Sequence, residues 1–143
     1  MSKFEWNLYD AKRVWAKEGI ETGIEEMVEI MSKRGIADEY IAEDTKIDED
    51  RAYIKTIEKS VKDCIKKGIT EEDGEKLSGL MAILFNQFAL EDTQHIYSNN
   101  GKKYAKEAIA EKMVKRGRIL LEFIAQDTGL PIEEIEQIAN KYK

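Results

Sequence analysis

In 143 residues the sequence has one cysteine, one proline and one histidine, and each scarcity excludes something. A single thiol, Cys64, cannot form an internal disulfide, so the fold must rest on packing, as is usual in a reducing compartment. Proline breaks helices by removing a backbone donor and clashing with the preceding turn, and one proline leaves the helical ladder nearly uninterrupted. The one histidine, His95, could share a helix face with Asp92, but a metal site in a helical bundle needs further ligands from other helices. There is no run of about 18 apolar residues, and the opening MSKFEWNLYDAKR has no apolar stretch before a cleavage site, which argues against membrane spanning and secretion. Gly-rich phosphate loops, Cys/His clusters and nucleophile motifs are missing, and no carboxylate pair stands out for acid–base work. The expectation is a cytoplasmic protein that is not an enzyme and has no cofactor.

What is present favours helix. Hydrophobic residues make up 42% and charged residues 36% of the chain, with a net charge of -6. That is too apolar for disorder and charged as exposed helix faces are. Glu, Lys, Ile and Ala are abundant, and straight-chain side chains lose little rotamer freedom in a helix. The fold class expected is all-α, a compact bundle of six or seven helices in a single domain over residues 1–143.

The apolar spacing locates the helices. Asn7 can cap a first helix in which Leu8, Ala11 and Trp15 share a face. The helix continues through Ile20, Ile24, Met27, Val28 and Met31, is weakened by Gly19 and Gly23, and ends at Lys33-Arg34-Gly35. Asp38 can cap a short helix burying Tyr40 and Ile41. After a turn, Asp48 caps a longer one burying Ile54, Ile57, Val61, Cys64 and Ile65, which ends at Gly68. Thr70 and Asp73 form an acidic capping box for the next helix. Leu77 to Leu90 is apolar nearly all round, which suits a central helix or an oligomer interface. Ser98-Asn99-Asn100-Gly101 reads as a loop. A helix of Tyr104, Ala105, Ala108, Ile109 and Met113 follows and ends at Gly117. Trp6, Trp15, Phe85 and Phe88 read as core anchors.

One unit occurs twice. Residues 33–54 read KRGIADEYIAEDTKIDEDRAYI and residues 115–138 read KRGRILLEFIAQDTGLPIEEIEQI. Lys33-Arg34-Gly35 matches Lys115-Arg116-Gly117, Tyr40-Ile41-Ala42 matches Phe123-Ile124-Ala125, and Asp44-Thr45 matches Asp127-Thr128, with one extra residue in the second copy. Each copy is a helix end, a short helix, a turn and a further helix, the order of a helix–turn–helix. The repeat-like units span 27–57 and 109–142. Gly129 gives the second turn a permissive backbone. Lys46 stands there in the first copy, so the two turns are not expected to be identical.

The stretch WNLYDAKRVWAKEGIETGIEEM with its KRG unit, together with EFIAQDTGLPIEEIEQI, resembles the C-terminal helical tail of PD-(D/E)XK nuclease family transposase-like proteins, the recombination-promoting nuclease group. These motifs cover roughly half the chain. The family's nuclease core is a mixed sheet bearing an acidic residue and a Glu-x-Lys pair, and no strand pattern exists here to hold one. Asp73-Gly74-Glu75-Lys76 lies at a helix start with the wrong spacing. The resemblance therefore implies a tail without the enzyme, in a mobile-element context.

Charge is segregated. Residues 37–50 hold seven acids and one base, while residues 102–118 hold seven bases and two acids. The acidic residues Asp38, Glu39, Glu43, Asp44 and Asp48 are candidates for binding a protein partner. Lys102, Lys103, Lys106, Lys115, Arg116 and Arg118 are the candidates for nucleic acid, since cations neutralise phosphates. The second helices of both units begin with acids, Asp48-Glu49-Asp50 and Glu133-Glu134, which would repel DNA at the tip that normally reads it. The same acids suit a helix dipole. Acidic and basic stretches could also dock the two copies together. The favoured expectation is a helical protein-interaction or regulatory module, an inhibitor or self-associating homo-oligomer. The alternative is a nucleic-acid-binding helix–turn–helix protein.

Overall fold

The computed structural model describes the backbone of residues 3–66 and 79–142, with side chains from residue 11 to 66 and from 91 to 142. Among the described residues all regular structure is helical: α1 (Lys3–Lys33), α2 (Asp38–Asp44), α3 (Glu49–Lys66), α4 (Gly79–Arg116), α5 (Leu121–Thr128) and α6 (Ile132–Asn140). They pack as a compact bundle. The expected helix end at Gly68, the capping box at Thr70 and Asp73, and Leu77 lie outside the described residues. So do the side chains of Trp6, Phe85 and Phe88.

The two long helices, α1 and α4, form the spine and run side by side in the same direction. Helix α1 begins at Lys3, so Asn7 lies inside it rather than capping it. Its buried positions Ala16, Ile20, Met27 and Met31 recur at helical spacing, with Ile24 half-buried and Val28 turned outward. Both long helices end where the KRG motifs foretell, at left-handed glycines: Gly35 has φ 86° and Gly117 φ 72°. Only glycine reaches that region without a Cβ penalty, and it lets the chain reverse.

The Ser98–Gly101 segment is not a loop but the middle of α4. The physical reason is a backbone crossing. Gly19 and Gly23 of α1 meet Gly101 and its neighbours on α4 so closely that a Cβ at Gly101 would lie 2.5 Å from the Ala16 carbonyl oxygen. A Cβ at Gly23 would lie 2.8 Å from that of Lys102, and one at Gly19 would overlap the Ser98 carbonyl. Asn100 meanwhile donates through Nδ2 to Ser60 Oγ at 3.0 Å and Asp63 Oδ2 at 3.1 Å on α3. These tertiary contacts outweigh the local turn preference. The glycines that weaken α1 in isolation are what allow the helices to touch.

Helix α3 starts as its sequence foretells: Asp48 Oδ1 accepts the Arg51 N–H at 3.1 Å, a side-chain cap. Its rotation differs from expectation. The buried face is Ala52, Thr56, Ser60 and Cys64, whereas Ile54, Val61 and Ile65 are exposed and Ile57 is half-buried. Small side chains let α3 lie close to the spine, and the Thr56 hydroxyl is satisfied by the Ala52 carbonyl at 2.7 Å. Asp38 does not cap α2; Ala37 occupies the cap position without a side-chain bond, and Asp38 and Glu39 fill the acidic first turn. The main core gathers Met27, Met31 and Ile41 with Ile109, Met113, Ile124, Leu130 and Ile135, drawing on both repeats at once. Trp15 packs at a smaller cluster of Ala16, Cys64 and Tyr97, so the single thiol is buried.

Candidate interaction surface

The repeated units grip each other rather than themselves. Arg34, at the end of α1, reaches Asp127 on α5 with both Nε and Nη2, the latter at 2.5 Å from Oδ1. Arg116, at the end of α4, reaches back to α2, with Nη2 2.7 Å from Asp44 Oδ1 and 2.8 Å from Glu43 Oε2. Asp44 and Asp127 are buried. Each guanidinium also stacks on the aromatic ring of the opposite unit: Arg34 lies 4.6 Å from the Phe123 centroid and Arg116 4.5 Å from that of Tyr40. The forked carboxylate contact and the ring face together fix both arginines in place. Hydrogen bonding to Asp127 raises the Arg34 pKa further above its usual range, and Asp44, then Glu43, do the same for Arg116.

The offset that carries Arg34 to Arg116 also carries Gly19 to Gly101 and Met31 to Met113. The contacts are therefore reciprocal at the glycine crossing, the methionines and the arginines. Within the short helices, Thr45 and Thr128 each return a hydroxyl to the carbonyl of Ile41 or Ile124 at 2.7 Å. The turns that follow differ, as Lys46 implies: Gly129 closes α5 at φ 73°, while Thr45 closes α2 in the right-handed region at φ -90°. In the first unit the job falls to Lys112 of α4, whose ammonium donates to the carbonyls of Glu43 and Lys46. A cation there also suits the negative end of the helix dipole.

The charge segregation is thus largely consumed inside the chain. Lys102 and Lys106 both hold Glu26 on α1, at 2.7 and 2.8 Å, and their hydrogen bonds hold its carboxyl below the usual range. Lys103 lies 3.9 Å from Glu107, and Lys115 lies over the Tyr142 ring. Arg118, the inserted residue of the second copy, rests on Tyr40 at 4.4 Å, is exposed, and has no carboxylate partner among the described residues. Of the acidic candidates, Glu43 and Asp44 are held by Arg116 and Asp48 caps α3, while Asp38 and Glu39 face solvent.

Several participants carry no signal in the sequence. Glu26 is one acid among many on α1, and the small-residue crossing reads as weak helix. The Glu107 carboxyl of α4, half-buried and hydrogen-bonded to Glu134 of α6, is pushed up to about 7, first by burial and then by that second carboxylate, against the lowering influence of Lys103 and Lys55. His95 and Asp92 are exposed, and among the described residues no group of three or more His, Cys, Asp or Glu is placed to hold a metal. No described helix is long and apolar enough to cross a membrane. No protein-family model, no curated protein and no solved structure matches this chain.

Proposed function

We propose that the chain is a non-enzymatic helical protein-interaction module, regulatory or self-associating, that works through the outer face of α3. The observation that carries this reading is the stripe of Ile54, Val61 and Ile65, which are 55, 44 and 60% exposed on one side of an 18-residue helix. Apolar side chains at these spacings are what a partner helix seats against. Because every copy of the chain carries the stripe, self-association is the first case to test. Light scattering across a concentration series should show a dimer that Ile54→Lys with Val61→Lys converts to monomer, with the helical circular-dichroism signal intact. A wild-type chain that stays monomeric at all concentrations and retains nothing specific from its native lysate sinks the proposal.

The nucleic-acid reading draws little support from the same geometry. Lys102, Lys106 and Arg116 are neutralised by Glu26, Asp44 and Glu43, and α3 and α6 open with Glu49-Asp50 and Glu133-Glu134. Phosphate binding needs cations whose counter-ions are mobile rather than fixed carboxylates. The expected result in a low-salt mobility-shift assay is no shift, and a salt-dependent shift weakened by changing Lys115, Arg116 and Arg118 would reinstate the alternative.

A further inference from the structure

The two arginine–aspartate clasps are alike in themselves and unlike in what surrounds them. Beside Arg34 lies a hollow lined by Ile30, Lys33, Arg34 and Asp127. Every charge on it is met: Arg34 holds Asp127, and Lys33 holds Glu29 at 3.0 Å. Beside Arg116 lies a second hollow, of about 230 Å³, and there one charge is left over. Asp44, 5% exposed, neutralises Arg116, whereas Arg118 on the same wall meets no carboxylate among the described residues. Arg118 is the one residue by which the second unit exceeds the first, so the clasp at Arg34 shows that the fold closes without such a residue.

The unmatched cation is held in place. The Arg118 guanidinium carbon stands 4.4 Å from the centre of the Tyr40 ring, and that of Arg116 stands 4.5 Å from the same centre. Stacking steadies the planar fork beside the hollow, so its donors need little further ordering to bind. The floor is apolar. Met113 is buried in the main core, and Ile36 and Ile119 pack against it half-buried. Gly35, at φ 86°, has no atom within 4 Å of where a Cβ would stand, which leaves that wall bare.

An apolar floor edged by one steadied, unmatched guanidinium complements one kind of ligand. We infer that this hollow binds a small organic monoanion, a carboxylate on a compact apolar body. The carboxylate meets the Arg118 fork, and the body lies on Ile36, Met113 and Ile119. Guanidinium and carboxylate match in plane and spacing, each oxygen accepting one N–H. A second negative charge would find no unpaired cation in the lining and would lie near Asp44 and Glu43, both already held by Arg116. An uncharged ligand of the same shape would leave the fork unmet. The site is separate from the α3 stripe and is judged without it.

Isothermal titration of the full chain with benzoate and with hexanoate tests the inference. Benzamide and hexanamide serve as uncharged counterparts, and inorganic phosphate at mildly alkaline pH as a dianion. At least one carboxylate should bind saturably and shift the amide resonances of Gly35, Ala37 and Ile119. Its affinity should exceed that of its amide and of phosphate by roughly tenfold or more, the scale of one charge-assisted pair, and Arg118→Ala should remove that margin. Arg118 is exposed and Arg116 stays on Tyr40, so this variant should keep the wild-type circular-dichroism spectrum. A second variant fills the hollow: Leu120 of the second unit has φ -60° and ψ 144°, against φ -59° and ψ 140° at Ala37, so Ala37→Leu suits the backbone. It should weaken the carboxylate while leaving the Arg116 clasp intact. Failure of both carboxylates to bind, an amide or phosphate binding as tightly, or an affinity unchanged by Arg118→Ala or by Ala37→Leu each overturns the inference.

Discussion

Gly19→Ala separates local preference from packing. By helix propensity alone the change should stabilise α1 by about 1 kcal/mol, because alanine has less backbone freedom to lose than glycine. The added Cβ, however, overlaps the Ser98 carbonyl oxygen and lies 2.9 Å from both Ser98 C and Cα, where 3.4 Å or more is ordinary contact. Backbone cannot swing aside as a side chain does, so α1 and α4 must part, loosening Ala16, Ile20 and Ala105, all buried at the crossing. Overpacking of this kind costs about 3 kcal/mol at the upper end of its usual range. The net is a loss of roughly 2 kcal/mol, or a fall in Tm of roughly 4–8 °C for a chain of this size. Urea and thermal unfolding followed by far-UV circular dichroism measure it directly. Gly101→Ala should act in the same direction, and the double change should cost less than the sum, since the second methyl enters a gap the first has opened. A Gly19→Ala protein as stable as wild type, or more so, would refute the close crossing.

Three further outcomes are expected. Arg34→Ala should lower stability by about 2 kcal/mol in urea unfolding, less than the roughly 3–5 kcal/mol of breaking a fully buried pair because the Arg34 side chain is 27% exposed; no loss would mean that Asp127 does not depend on it. Glu107 holds its proton in the folded chain up to about pH 7, whereas its ordinary value is 4.5. The folded state then binds more protons than the unfolded between those pH values, so this group's contribution falls as pH rises through that window. Glu107→Gln should remove the fall, and its Tm difference from wild type should grow from pH 4.5 to 7 and then level; a flat difference contradicts the shared proton. Ile54→Lys or Ile65→Lys should change monomer Tm little, because neither side chain is buried, and a large loss would show that the stripe packs within the chain.

Helical class, the left-handed glycine ends and the Asp48 cap were legible because each is a local rule: composition, a KRG stop, an aspartate ahead of an apolar period. The duplicated unit was legible as a pattern of letters. What the pattern could not convey is that the copies exchange partners, since Arg34 and Asp127 are related only through the fold. Apart from the caps expected at Asn7 and Asp38, the errors have one origin. Small residues read as weakness or as turn at Gly19, Gly23 and Ser98–Gly101, and at Ala52, Thr56 and Ser60 they were passed over in favour of Ile54, Val61 and Ile65, although Cys64 was placed on the buried face. In each case a close helix contact prefers little side chain over much, and periodicity of bulky residues points to the wrong face. Glu26 and the Glu107–Glu134 pair were invisible because in a chain with 29 acidic residues nothing local distinguishes them.

The lysine that closes α2 has a consequence for the order of assembly. Lys112 stands 69 residues beyond Glu43, Arg116 lies 72 beyond Asp44, and Asp127 lies 93 beyond Arg34. A seven-residue helix is too short to persist in water unaided. As the chain leaves the ribosome, α2 therefore gains these polar contacts only after most of the molecule has emerged. With such contacts far apart in sequence, refolding should be slow beside that of bundles whose neighbouring helices follow one another in sequence.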